Sequence, residues 1–211
     1  MVLIIVGSVI GHTLICNPAI NLLVYFTNWA LLATFFTALF GTIIAFNPTY
    51  NNRTAKGLAM CHHLMYTIML FIGPCVVSVY WMVVHQEHLQ EIYTKHYHNQ
   101  WLYHFKIRHT YIVHTVPFMC SLVLMKINKT ILLPSHSQAL AVLGTLYSIS
   151  NYYSVLKRGE PVYWFLPWTD YTSALICAGI VGLFTALFLA TALFDKWITG
   201  EIRHSKEKKI E

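Results

Sequence analysis

The residues best suited to chemistry are one hydroxyl and two imidazoles in apolar surroundings. Thr27 lies within Tyr25-Phe26-Thr27-Asn28-Trp29, and His109 and His114 lie within His109-Thr110 and His114-Thr115-Val116-Pro117. A hydroxyl in hydrogen-bond reach of an imidazole is the smallest nucleophile and base pair, and exclusion of water strengthens every polar contact around it. No carboxylate sits among them, because Asp and Glu occur only at Glu87, Glu91, Glu160, Asp170, Asp195, Glu201, Glu207 and Glu211. Asn28, a tyrosine hydroxyl or a freed backbone carbonyl would have to orient the histidine instead. Pro117 offers such a carbonyl: it donates no hydrogen bond and clashes with the preceding turn, which frees the carbonyl of Val113 beside His114. His109 and His114 are about 140° apart around a helix, so the two do not easily point into one site. Each residue also has a plainer use. Thr27 can bond back to a carbonyl one turn earlier, His114 can bond to a neighbouring helix, and His109 can be solvated at an interface.

The elements that must position these groups are membrane-spanning helices. The chain of 211 residues is 56% hydrophobic and 10% charged, with a mean hydropathy of +0.54. In hydrocarbon the backbone must satisfy its own hydrogen bonds, so apolar runs of about 20 residues read as spanning helices. The sequence predicts an all-α, multi-pass transmembrane bundle of about six spans, the first one short, over residues 2–16, 22–46, 60–84, 107–126, 138–156 and 171–194. The bundle occupies residues 1–196, and a charged C-terminal tail follows over 197–211. Asn17-Pro18 and Asn47-Pro48 punctuate turns, while Gly73-Pro74 implies a kink and a close helix contact.

The net charge of +6 points to anionic lipid headgroups rather than nucleic acid, because the basic residues sit in short loops and the tail. No nucleic-acid partner is expected. The five cysteines are far apart and lack metal-ligand spacing, so neither a metal nor any other cofactor is expected. With six spans, nine Lys and Arg fall on one side and five on the other, which places both termini on the cytosolic or matrix side. Tyr80, Trp81, Trp101, Tyr103, Tyr163, Trp164, Trp168 and Tyr171 gather on the opposite side as an aromatic belt. Entering from that side, Thr27 lies about 8 Å and His114 about 10 Å below their helix starts, so the two can share one depth.

Several blocks in order resemble a known family. Tyr25-Phe26-Thr27-Asn28-Trp29-Ala30-Leu31-Leu32, Phe71-Ile72-Gly73-Pro74-Cys75-Val76-Val77-Ser78, His114-Thr115-Val116-Pro117-Phe118, Leu133-Pro134-Ser135-His136-Ser137 and Tyr163-Trp164-Phe165-Leu166-Pro167-Trp168 are similar to segments of the androgen-induced protein family of transmembrane hydrolases. That family includes the androgen-dependent regulators of tissue factor pathway inhibitor. The resemblance covers roughly residues 22–194. It implies hydrolysis of fatty-acid esters of hydroxy fatty acids by a threonine nucleophile and a histidine base. Carried over by position, the threonine is Thr27, and the histidine is His114 first and His109 second. An endomembrane location follows from the same resemblance.

A rival reading is a catalytically idle accessory subunit of a larger membrane assembly, such as a respiratory complex of the mitochondrial inner membrane. In that setting Lys206, Lys208 and Lys209 of the tail would contact acidic protein or lipid headgroups. Haem ligation from His12, His62, His63, His109 and His114 is disfavoured, because His62 and His63 fall at the opposite face from His109 and His114. Proton-coupled transport is weaker still, since no acidic residue lies inside a span to relay protons.

Overall fold

The computed structural model describes residues 1–16, 24–46, 53–127 and 132–207, and these contain helices, turns and no strand. The turns expected at Asn17-Pro18 and Asn47-Pro48 lie outside the described residues, as do Lys208 and Lys209. The helices are α1 (Val2–Cys16), α2 (Phe26–Phe46), α3 (Arg53–Val79), α4 (His85–His96), α5 (Gln100–Ile127), α6 (His136–Arg158) and α7 (Thr172–Glu207), with a π turn over Tyr80–Val84 joining α3 to α4. Four stretches are long and apolar enough to cross a membrane: Phe26–Phe46, Thr54–His96, Gln100–Ile127 and Thr172–Ile198. The chain is a multi-pass, all-α membrane protein. Of the two other expected crossings, Val2–Leu14 is a shorter apolar helix. The other, α6, has the length but carries Ser148, Ser150, Asn151 and Ser154 along its second half.

The chain divides into two compact units, residues 1–128 and 129–211. In the first, α2 packs along α3, α1 and α5, α3 also meets α5, and α4 returns onto α5. Its apolar centre joins Val6 and Val9 of α1 to Leu31 of α2 and to Val113 and Cys120 of α5. Lipid tails are as apolar as these side chains, so close packing rather than flight from water holds such helices together. Gly73 of α3 faces α5, where a Cβ would make ordinary contact with Ser121 Oγ at 3.6 Å and the Phe118 Cα at 3.9 Å. Helix α3 continues through Pro74. Hydroxyls within the helices bond back to carbonyls one turn earlier, as with Thr13 to Val9 and Thr34 to Ala30 at 2.8 Å each.

The segment from His85 to Lys106, expected as a loop, is helical except for a turn at Tyr97-His98-Asn99. Its polarity hid the helix. Glu91 and Lys95 pair at 2.7 Å one turn apart, and no Gly or Pro interrupts His85–His96. Asn99 then caps α5 by accepting the Leu102 amide at 3.0 Å. The continuous helix Thr54–His96 has 43 residues, or about 65 Å, whereas the hydrocarbon core is about 30 Å thick. Its polar end therefore extends past the apolar layer.

In the second unit α6 packs against α7. Helix α6 ends at Gly159, whose φ of 73° is the left-handed conformation that glycine adopts without strain. Asp170 accepts the Thr172 amide at 2.8 Å and starts α7. The backbone of α7 stays helical to Glu207, through the point where the charged tail was expected to begin. Where the two helices meet, a Cβ at Gly144 would lie 2.7 Å from Val181 Cγ2. Valine is nearly locked in one rotamer in a helix, so it cannot swing away.

Gly144→Ala should therefore lower stability in detergent by about 1–3 kcal/mol through overpacking, more than the roughly 1 kcal/mol that alanine adds to a helix interior. Adding Val181→Ala should restore the melting temperature. A Gly144→Ala protein that melts with the parent would mean that the helices do not approach at this pair.

Candidate active site

The π turn creates the centre of the site. In a regular α-helix residues five apart are about 140° apart, but a π turn bonds residue i to i+5 and brings them onto one face. The His85 amide bonds to the Tyr80 carbonyl, and the His85 Nδ1 lies 3.2 Å from the Tyr80 hydroxyl. Tyr80 is buried, and its ring stacks on His114 with centroids 3.5 Å apart and planes inclined at 12°. Tyr80 is thus part of the site rather than of the aromatic belt. Trp81 stacks on Tyr111 at 5.6 Å, closing the adjacent surface between the π turn and α5.

His114 is fixed from below as well. Its Nδ1 lies 2.7 Å from the carbonyl oxygen of Thr110, one turn earlier in α5. A carbonyl only accepts, so Nδ1 carries the hydrogen and Nε2 keeps its lone pair. The carbonyl that holds the imidazole is that of Thr110, where Pro117 had suggested Val113. The Thr110 hydroxyl is engaged too: it is 3.3 Å from His88 Nε2, and His88 Nδ1 is 3.5 Å from a carboxylate oxygen of Glu91. Thr110 therefore holds one imidazole by its backbone and a second by its side chain.

His109 faces elsewhere, as the 140° separation required. It is buried, and its Nδ1 lies 2.8 Å from the Nδ1 of His12 on α1. One ring donates and the other accepts. Phe105 covers the pair, with its ring centroid 4.9 Å from that of His12. Thr27 is buried in the first turn of α2, beside the buried Asn28. Among the described residues no hydrogen bond joins Thr27 to His114 or to His109.

The histidines of the polar helix were not visible as site residues in the sequence, and neither was Tyr80. One signal was present: His85 and His88 are three positions apart, the spacing of neighbours on a helix face. It carried no weight while the segment read as a loop. Among the described residues, no group of three or more His, Cys, Asp or Glu is arranged to hold a metal ion. The second unit has an open groove of about 650 Å³ between α6 and α7, lined by residues such as Ala141, Ala174, Val181 and Leu189. The lining of that groove contains no imidazole or carboxylate.

Fold and site together define a multi-pass helical membrane protein with hydroxyl, phenol and imidazole groups gathered between the π turn, α4 and α5. No protein-family model, curated protein or solved structure matches the chain.

The His12–His109 pair gives a direct test of this packing. His12→Leu should leave a buried imidazole nitrogen without its partner and cost about 1–3 kcal/mol of stability. Replacing both histidines with leucine should cost less than the sum of the two single changes. Strict additivity in detergent melts would show that the pair does not form.

Proposed function

We propose that this chain is an integral membrane hydrolase of fatty-acyl esters, related to the androgen-induced protein family, with a threonine nucleophile and a histidine base. The observation that carries the reading is the state of His114. Its Nδ1 donates to the Thr110 carbonyl at 2.7 Å and its ring is stacked on Tyr80, so a neutral Nε2 is held ready to take a proton. Thr27 is the nucleophile in this reading, on a helix that packs against the one bearing His114. Attack of a hydroxyl on an ester carbonyl proceeds by proton transfer alone, since the imidazole both removes the hydroxyl proton and returns it to the leaving alkoxide. The substrate is a lipid ester drawn from the surrounding membrane, the host is an endomembrane, and both termini face the cytosol.

A fluorophosphonate probe added to the membrane-extracted protein tests the assignment. Thr27→Ala should abolish the adduct at position 27, and His114→Ala should slow its formation there at least about a hundredfold. His109→Ala should stay active. An adduct that never forms on Thr27 in the parent protein would remove Thr27 from the chemistry. A silent protein that copurifies with a stable complex would instead favour the accessory subunit, held in the mitochondrial inner membrane with its termini in the matrix.

Orientation is tested separately. In a protein without other reactive thiols, Asn52→Cys and Asn99→Cys should be labelled from opposite sides of sealed vesicles. Labelling of both from one side would overturn the proposed topology.

A further inference from the structure

The structure assigns a second nucleophilic site to this chain: Thr110 as the nucleophile, His88 as its base and Glu91 as the positioning carboxylate, acting on carboxylic esters presented at the membrane–water boundary. This site goes beyond the Thr27 and His114 reading and shares no acting group with it.

Three observations carry it. First, the order of contacts is that of a hydroxyl, an imidazole and a carboxylate. Thr110 Oγ1 is 3.3 Å from His88 Nε2, and Glu91 is 3.5 Å from the other ring nitrogen. Both contacts are somewhat long, as such contacts often are before substrate binds and tighten in the complex. The tautomer they require is consistent: Nδ1–H faces the carboxylate and the Nε2 lone pair faces the hydroxyl.

Second, Thr110 differs from five other threonines within the helices. Thr13, Thr34, Thr37, Thr42 and Thr67 each give their hydrogen to the carbonyl four residues earlier. Thr110 directs its hydroxyl to an imidazole 22 residues away. A buried hydroxyl that forgoes the bond within its own helix is available for proton transfer to that imidazole.

Third, the carboxylate end is open to water while the nucleophile is sheltered. Glu91 and Lys95 side chains are 52% and 61% exposed, whereas Thr110 is only 4% exposed. Glu91 therefore remains ionised by contact with solvent and Lys95, and the attacking oxygen sits where water competes least. The polar helix α4 extends past the apolar layer, so the site stands at the boundary.

The reaction balances without another reagent. Thr110 Oγ1 forms a bond to the ester carbonyl carbon as its proton passes to His88 Nε2. The tetrahedral intermediate collapses, the carbon–alkoxide bond breaks, and the leaving oxygen takes that proton to depart as an alcohol. Water then attacks the acyl-threonine carbonyl and gives one proton to His88. The carboxylic acid leaves, and His88 returns the proton to Thr110. Glu91 holds the ring and stabilises the imidazolium formed between the two halves.

The test uses the full chain in detergent with an alkyl fluorophosphonate and locates the adduct by peptide mass spectrometry. Thr110 displaces fluoride from phosphorus by the same route. An adduct should appear on Thr110 in the wild-type and Thr27→Ala proteins. His88→Gln should slow its formation at least about a hundredfold. Glu91→Gln should also slow it, with Glu91→Asp restoring part of the rate, and Thr110→Ser should keep labelling at position 110. An adduct on Thr27 alone would overturn this site and leave the proposed hydrolase standing. An adduct on Thr110 alone would keep this site and remove Thr27. A Thr110 adduct whose rate ignores both His88→Gln and Glu91→Gln would overturn the triad, and no adduct on any residue would overturn both assignments.

Discussion

In hydrocarbon a polar hydrogen has no water to turn to, and this constraint governs the chain from its backbone to its side chains. It makes the spans helical, and it sends Thr13, Thr34, Thr37 and Thr67 back onto their own helices. It also makes Thr110 informative. Its carbonyl accepts from His114 and its hydroxyl meets His88, so one residue of α5 joins two imidazoles that approach from different directions. The ring of Tyr80 then packs on His114 and completes the cluster.

That cluster needs the irregularity between α3 and α4. With regular α geometry throughout, Tyr80 and His85 would point about 140° apart and could not share a hydrogen bond. The π turn over Tyr80–Val84 aligns them and hands the helix on to His88 and Glu91 without a break. π turns recur at functional sites because the added residue re-aims the side chains that follow. Here it converts a membrane-crossing helix into one that also supplies the polar face packed on α5.

The resemblance to the androgen-induced family points to Thr27 with His114, whereas the contacts bind His114 to Thr110 and leave its Nε2 without a threonine hydroxyl among the described residues. The motif around Thr27 directs attention to the first turn of α2, where the threonine is buried without a bond to either histidine. The contacts direct it to Thr110, which adjoins His109 in sequence and had read as part of its flank. A motif records which residues occur together along the chain, whereas proton transfer depends on which atoms lie within about 3 Å.

Composition and apolar runs sufficed to establish a multi-pass α-helical membrane protein, because hydrocarbon admits so few backbone solutions. The extent of α1 and the placing of α2, α5, α6 and α7 were legible for the same reason. The separation of His109 from His114 was legible too, since helix geometry sets the angle between residues five apart. Only the tertiary structure decided which partners those rings met: His12 for His109, and Thr110 with Tyr80 for His114. It alone revealed α4, which packs on α5 and is polar enough to have read as a loop. A π turn has no apolar period of its own, and contacts across helices depend on register and rotation, which a linear pattern of hydrophobic residues does not encode.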